Sequence, residues 1–243
     1  MSAPLRVGVI GLGARCVIAE NCHKATIPAE LVGGCDPNPA MRQRATEVLG
    51  DYPWFETLDE LLELGIDCAI VTSPDDTHED ITCALLEAGV AVYLEKPIAI
   101  TIEGSDRVLE TAYRTKTPLY VGHNMRHMAV VRILRQVVQD GLIGEVRAIW
   151  CRHFVGNGGD YYFKDWHADR SRTTGLLLQK AAHDIDVMNW LSDSVPERVV
   201  GMGDLMLYGK LSDRSGQKSD AVMSDWFSFD NWPPASMTGL NPV

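Results

Sequence analysis

The stretch Leu5-Arg6-Val7-Gly8-Val9-Ile10-Gly11-Leu12-Gly13 carries a short apolar run directly into a glycine turn. The run predicts a β-strand over Leu5–Ile10, and residues 14 to about 25 predict the helix that follows. Gly11 permits a tight turn, and Gly13 lets the backbone approach a pyrophosphate group, which the free N–H groups of a helix N-terminus would bind. The third glycine of the usual fingerprint is replaced by Cys16, which is small enough for close helix–strand packing. The stretch therefore predicts the opening of a dinucleotide-binding fold.

Strand-like and helix-like segments alternate through the first half of the chain. Further strands are predicted at 30–36, 68–73, 91–95 and 118–122, and further helices at Pro39–Leu49, 57–64, 77–88 and 101–115. This alternation is typical of an α/β fold with a doubly wound parallel sheet, the Rossmann type. We therefore expect a dinucleotide-binding domain over residues 1–122.

The pattern changes in the second half of the chain. An apolar stripe at helical spacing predicts a helix over about 128–141, and a second helix is predicted at 175–191. Two longer strands are predicted at 145–154 and 197–208. Longer strands with fewer helices favour a separate α+β domain with an open, largely antiparallel sheet, over residues 123–243.

Composition narrows the partners and the compartment. The formal net charge is −11, from 22 basic and 33 acidic residues, which disfavours binding to nucleic acid or to an anionic membrane. No apolar run approaches the roughly 20 residues that cross a bilayer, and the N-terminus lacks the features of a signal peptide. Six cysteines include no C-x-x-C pair, so reduced thiols are favoured over disulfides or a zinc site. We expect a cytoplasmic protein.

The second strand ends in Asp36, at the spacing where a carboxylate binds the ribose diol of a dinucleotide. Such a carboxylate would repel a 2′-phosphate, so the sequence favours NAD over NADP. An alternative is that Asp36 is the N-cap of the next helix. The neighbouring Arg42 leaves room for a phosphate.

The tripeptide Glu95-Lys96-Pro97 follows a buried apolar strand. Pro97 cannot donate a ladder hydrogen bond, so it ends the strand. Lys96 is then presented at a carboxyl strand end, where ligands of open α/β sheets bind. A cation there could bind a substrate oxygen or exchange a proton with it. The alternative is a solvated lysine at the end of a strand.

Five short motifs, taken in order and spacing, resemble the Gfo/Idh/MocA oxidoreductase family. They are Gly11-Leu12-Gly13-Ala14-Arg15, Thr72-Ser73-Pro74-Asp75-Asp76-Thr77-His78, Glu95-Lys96-Pro97, Gly122-His123-Asn124-Met125-Arg126 and His183-Asp184-Ile185-Asp186. The resemblance implies that Lys96 contacts the reacting hydroxyl and that His183 is the general acid/base. It also implies a cofactor site that includes Gly11, Gly13, Ala14, Arg15, Asp36, Ser73, Pro74, His78, Glu95, Lys96 and Asn124.

Histidine suits this chemistry, because an imidazole with an ordinary pKa near 6.5 can take a hydroxyl proton near neutral pH. Many family members place a carboxylate four residues before this histidine, whereas this chain has Gln179. Lys180, Asp184 or Asp186 could take part in the proton relay instead. His183, Asp184 and Asp186 also resemble a metal site, but carboxylates at this helical spacing are commonly solvated or ion-paired, so we predict no metal.

An aromatic and charged loop, residues 161–170, precedes the His183 helix. Aromatic faces with nearby polar groups suit sugar rings, although the loop could simply pack between domains. The candidate substrate-binding residues are Trp166, His167, Arg170, Lys180 and Asp184.

The resemblance implies an NAD-dependent oxidoreductase acting on a secondary hydroxyl of a sugar, polyol or related carbohydrate. Two alternatives are a glycoside hydrolase that uses NAD transiently and a non-catalytic NAD-binding protein. Family members continue with further strands, so we expect the second domain here to be truncated. The full-length form is expected to be a homo-oligomer.

Overall fold

A computed structural model describes residues 3–24, 26–154 and 159–203. Within these residues six parallel strands form one sheet: β1 (Leu5–Ile10), β2 (Ala29–Cys35), β3 (Trp54–Phe55), β4 (Cys68–Val71), β5 (Ala91–Leu94) and β6 (Leu119–Val121). The strand order is β3-β2-β1-β4-β5-β6. The chain adds strands to one side of β1 as far as β3 and then to the other side from β4 onward. This reversal of strand order confirms the predicted doubly wound Rossmann sheet.

Helices connect the strands and continue beyond them. The α-helices are α1 (Pro39–Leu49), α2 (Leu58–Leu62), α3 (His78–Glu87), α4 (Ile102–Thr115), α5 (Ala129–Gln139), α6 (Arg170–Thr173), α7 (Leu176–Gln179) and α8 (Ala181–Ser192). Five 3₁₀ helices lie within the described residues, at Ala14–Lys24, Asp75–Thr77, Asn124–His127, Gly159–Phe163 and Asp165–Ala168. No helix in the described ranges is long and apolar enough to cross a membrane.

Local capping sets the starts of several helices. The Thr57 side chain accepts from Glu60 N, and the Glu60 carboxylate accepts from Thr57 N, which forms a capping box at the start of α2. The N-cap of helix α1 is Asn38, whose side chain accepts from Ala40 N at 3.0 Å. The suggested N-cap role of Asp36 is therefore wrong, because Asn38 fills that position.

Apolar side chains cover both faces of the sheet. Ile10, Val71 and Leu94 are buried in one cluster, whereas Val9 and Leu31 are buried in another. Neighbouring residues on β1 fall into different clusters because successive strand side chains point to opposite faces. Full burial of one such side chain contributes about 1.5–3 kcal/mol. The sheet thus holds its carboxyl strand ends on a packed, two-sided core.

The described cysteines are free thiols. Cys16, Cys35 and Cys83 are buried. Burial raises the pKa of Cys35 to about 12 and that of Cys68 to about 11, so both are protonated near neutral pH.

The second half differs from the sequence expectation in two places. Residues 145–154 form no hydrogen-bonded strand, and the described part of the other predicted strand, 197–203, forms none either. A strand needs a paired neighbour for its N–H and C=O groups, and the remainder of the second strand, 204–208, lies outside the described residues. Residues 145–154 and 197–203 therefore do not form the predicted, largely antiparallel sheet. The predicted domain boundary between residues 122 and 123 stays a prediction.

The helix predicted at 175–191 is broken. Helices α7 and α8 meet at Lys180, whose backbone angles are φ −114° and ψ −50°. A continuous helix would pair Gln179 O with His183 N, but His183 N bonds to Lys180 O at 3.3 Å. The break therefore frees the Gln179 carbonyl for a partner outside the helix.

Candidate functional site

The glycine turn after β1 is packed against the end of β4. Gly11 has φ +84°, and a Cβ placed there would lie 2.4 Å from Ser73 N. Thr72 Oγ1 donates to Gly11 O at 2.7 Å, which joins the two strand ends. A Cβ at Gly13 would meet no atom within 4 Å. Only glycine fits the first position, and the second faces open space.

Asp36 closes the turn from the adjacent strand. Its Oδ2 accepts from Leu12 N at 2.9 Å, and its Oδ1 accepts from Asn38 N at 2.8 Å. Arg42 Nη1 donates to the backbone oxygen of Asp36 at 2.6 Å. Asp36 is therefore fixed beside the glycine turn, and each carboxylate oxygen retains a lone pair for a further donor.

Several predicted cofactor residues are paired with one another. Arg15 Nε donates to Glu95 Oε1 at 3.1 Å, and Arg15 Nη2 makes an ion pair with the same oxygen. Glu95 is buried, whereas Ala14 and Arg15 are exposed at the start of the first 3₁₀ helix. Asn124 begins a 3₁₀ helix after β6, where its backbone N–H bonds to Gly122 O at 2.8 Å.

His78 connects the loop after β4 to the loop after β5. Its Nδ1 lies 2.7 Å from Pro97 O, and its Nε2 lies 2.9 Å from Ser73 O. The side chain is 1% exposed. Pro74 lies between these anchors, at the N-terminal edge of the 3₁₀ turn. His78 therefore holds the backbone at Ser73, in the loop after β4, and at Pro97, the residue that follows Lys96.

Lys96 projects from the end of β5 toward the second half of the chain. Its Nζ donates to Gln179 O at 2.7 Å, using the carbonyl that the helix break leaves free. The Lys96–Pro97 peptide bond is cis. Burial lowers the pKa of Lys96, while the charges of Asp75 and Glu95 act in the opposite direction. The lysine is thus a partly desolvated cation, not the solvated lysine of the alternative reading.

His183 lies in the first turn of α8 and is 8% exposed. Burial, followed by the positive charges of Lys96 and Lys180, lowers the pKa of His183 to about 4. Its Nδ1 is buried and has no hydrogen-bond partner among the described residues. The imidazole is therefore neutral at pH 7, and Lys96 is close enough to act on it electrostatically.

Asp75 is a buried member of this cluster that the sequence reasoning did not single out. It is 5% exposed, and its Oδ2 has no hydrogen-bond partner in the described ranges. Burial raises the pKa of Asp75, and the neighbouring His78 and Lys96 act to lower it. The sequence signal was its place directly after Pro74, where β4 ends.

The predicted substrate loop folds beside the site. The Trp166 and His167 rings are stacked with centroids 3.7 Å apart, and burial lowers the pKa of His167. Arg172 lies over Trp166 and donates to both carboxylate oxygens of Asp76 at 3.0 Å. This pair binds helix α6 to the turn after β4. Arg170 is exposed.

The carboxylates that follow His183 are bound elsewhere. Asp184 lies 2.9 Å from His153 Nδ1. Asp186 accepts from Arg126 Nε at 2.8 Å and pairs with a second Arg126 nitrogen. The described part of the chain has no group of three or more His, Cys, Asp and Glu side chains that could hold a metal ion.

The strand ends fit a nicotinamide dinucleotide. The open space at Gly13 admits a pyrophosphate close to the backbone, because a Cβ there would fill it. Asp36 stands at the end of the neighbouring strand, where a ribose would lie. The fold and this site define a dinucleotide-binding protein of the doubly wound α/β class.

Two family models match the chain. One, described as an oxidoreductase family with an NAD-binding Rossmann fold, matches residues 5–123. The other, described as the GFO/IDH/MocA C-terminal domain, matches residues 131–227. The chain belongs to the Gfo/Idh/MocA family of oxidoreductases, as the sequence motifs indicate.

Individual relatives agree with this family. Inositol 2-dehydrogenase of Serratia proteamaculans is 30% identical over 197 residues, which cover 78% of this chain and 55% of the relative. Inositol 2-dehydrogenase of Pseudomonas fluorescens is 30% identical over 209 residues, which cover 81% of this chain and 57% of the relative.

A solved structure of scyllo-inositol dehydrogenase from Lactobacillus casei, with bound NAD(H) and scyllo-inositol, superposes with a TM-score of 0.66 and 25% identity. The match covers 78% of this chain and 56% of that one. The chain thus spans about half the length of the relatives it matches.

Proposed function

We propose that this chain binds NAD and transfers a hydride between it and a secondary hydroxyl of a polyol, sugar or related carbohydrate. The observation that carries the proposal is that Lys96 and His183 lie close enough for the charge of the lysine to act on the imidazole. These two residues come from separate parts of the chain, and Lys96 Nζ reaches Gln179 O, one turn before His183. The relatives named inositol 2-dehydrogenase support a polyol as the substrate class.

NAD, when bound, would supply the hydride acceptor for oxidation. Gly11 and Gly13 would leave room for its pyrophosphate, and Asp36 would accept from the ribose hydroxyls. The same carboxylate would repel a 2′-phosphate, which supports NAD over NADP. Arg42, the residue that could have received a phosphate, already donates to Asp36 O.

His183 would move the proton. In oxidation, the substrate O–H bond breaks and the proton bonds to a ring nitrogen of His183, which is neutral at pH 7. In reduction, the protonated ring returns the proton to the new alkoxide. Burial and nearby cations make the imidazolium a stronger acid than free imidazolium, so His183 gives up its proton readily in reduction and accepts one less readily in oxidation.

Lys96 would hold the reacting oxygen. An ammonium has three N–H donors, and Gln179 O accepts one of them, so the others can turn toward a substrate oxygen. A positive charge there stabilises the negative charge that develops as the hydroxyl proton leaves. Contact with the substrate stays a prediction for the other candidate residues, which are Trp166, His167, Arg170, Lys180 and Asp184.

The test is NADH formation with a panel of polyols, sugars and sugar acids, repeated with NADP. We expect turnover with NAD, and a fall of about 10²–10⁴-fold in kcat/KM for Lys96→Met and for His183→Asn. Lys24→Met, at an exposed lysine of the first 3₁₀ helix, is the matched control.

Turnover that survives in both site variants would contradict the proposal. Cleavage of an aryl glycoside without net NADH would favour the glycosidase alternative instead. NAD binding without turnover of any substrate would favour a non-catalytic protein.

We also propose a cytoplasmic location and a homo-oligomeric full-length protein. The free thiols support a reducing compartment. Size-exclusion chromatography with light scattering measures the assembly, and a monomer would contradict it.

A further inference from the structure

The side chain of Lys96 is half-buried, and desolvation disfavours an unpaired cation, so a nearby negative charge stabilises its charged form. Two carboxylates act on Lys96 from neighbouring loops, Asp75 more strongly and Glu95 less strongly. Asp75 follows β4 and Lys96 follows β5, and these parallel strands are paired with Val71 opposite Leu94. Both side chains therefore stand at the same edge of the sheet.

Glu95 already forms an ion pair with Arg15. Its Oε1 receives two Arg15 nitrogens, and its Oε2 accepts the backbone N–H of Lys96 at 3.2 Å. Asp75, in contrast, has a buried Oδ2 with no hydrogen-bond partner in the part of the chain described. Of the two carboxylates, Asp75 is the one with a buried oxygen that no described donor satisfies with good geometry, and the Gln179 side chain beside it lowers its pKa.

The helix that carries His183 supplies no free carboxylate. Asp184 is bound to His153, and Asp186 is bound to Arg126. Gln179 is one turn before His183, is 3% exposed, and has a side-chain Nε2 without a partner among the described residues. An amide at this position can orient a neighbour but cannot balance a charge.

Residues 172–179 contact the loops that follow both β4 and β5. Arg172 binds Asp76, the neighbour of Asp75, while Gln179 O binds Lys96. Asp75, Lys96 and Gln179 are thereby enclosed together, and two of the three are more than nine-tenths buried.

We propose that Asp75 is the positioning carboxylate of this site, supplying from the end of β4 the negative charge that Gln179 does not supply. Asp75 favours the charged form of Lys96, and it acts on the reaction through Lys96. This inference rests on the proposed function for its effect on turnover, but its effect on Lys96 can be measured without turnover.

The first measurement is the titration of Lys96 by NMR of isotopically labelled lysine, assigned with Lys96→Arg. Asp75→Asn removes the negative charge that acts most strongly on Lys96, so the pKa of Lys96 should fall. Asp106→Asn, which removes an exposed carboxylate on α4, is the matched control and should have a smaller effect. The charged groups that face this lysine are Asp75, Glu95, Lys180 and Arg15, and the histidines that sense it are His167 and His183.

The second measurement is a charge swap. Asp75→Asn should lower kcat/KM about tenfold or more and shift its pH profile with the titration of Lys96. Adding Gln179→Asp to that variant should restore the Lys96 pKa and part of the activity, because a carboxylate then returns to the cluster from the other side. Asp75→Ser is a second uncharged variant if the amide does not fold.

An unchanged Lys96 titration in folded Asp75→Asn or Asp75→Ser would overturn the proposal, whatever the turnover. Failure of Gln179→Asp to restore either quantity would also count against it. If the wild-type protein turns over no substrate, the proposed function fails, yet the titration still decides the role of Asp75.

Discussion

Acidification should destabilise the protein through His183. In the folded chain, burial and the neighbouring cations lower the pKa of this histidine to about 4, from an ordinary value of 6.5. Between these values the unfolded chain binds a proton that the folded chain does not. Stability therefore falls as the pH drops through that window and is restored as the pH rises above it.

The size of the effect follows from the two pKa values. At about pH 5 the unfolded imidazole is almost fully protonated, while the folded one is mostly neutral. This difference costs the folded state about 2 kcal/mol relative to pH 8. His183 is 8% exposed, so solvent screens its charge little.

The assay is urea unfolding of wild-type and His183→Asn proteins across this pH range. The asparagine variant cannot bind the proton. Between pH 8 and about pH 5, the free energy of unfolding of the wild type should therefore fall by about 2 kcal/mol more than that of the variant. His23→Asn, at an exposed histidine, controls for the loss of a histidine as such. Parallel stability curves for the wild type and His183→Asn would refute a strongly lowered pKa.

Two further substitutions test the packing that builds the site. Gly11→Ala would place a Cβ 2.4 Å from Ser73 N at φ +84°, so the free energy of unfolding should fall by about 1–3 kcal/mol, measured in urea. Gly13→Ala, whose Cβ meets nothing within 4 Å, should fold with little loss yet bind NAD more weakly by calorimetry; equal losses of stability would contradict this contrast. His78→Ala should cost about 2–4 kcal/mol, because the ring N–H bond to Ser73 O or Pro97 O is lost and the buried ring leaves a cavity. A thermal melt that His78→Ala leaves unchanged would show that the connection is not structural.

Much of the first half could be predicted because its signals are local. Helix α1 occupies the predicted residues, and the capping box at Thr57 forms as its sequence indicates. The strand and glycine turn at Leu5–Gly13 required only a buried apolar run and a backbone position that tolerates positive φ. Such features depend on a few consecutive residues, so sequence reading finds them.

The second half was harder because its structure depends on distant partners. The 145–154 segment has strand-like composition, but a strand forms only where a neighbour accepts its hydrogen bonds. The helix predicted at 175–191 breaks at Lys180, where the freed Gln179 carbonyl bonds to Lys96. A residue far away in sequence thus makes a contact there that no periodicity could indicate.

The sequence by itself determined the doubly wound sheet, the glycine turn and the candidates Lys96 and His183, because chain-local patterns specify strand ends and turns. Only the tertiary structure decided which charges face one another. It bound Asp184 to His153, bound Asp186 to Arg126, and buried Asp75 where its charge acts on Lys96, with an oxygen that no described residue hydrogen-bonds. The physical reason is that burial and electrostatics depend on distance in space, which residues from different elements acquire only when the chain folds.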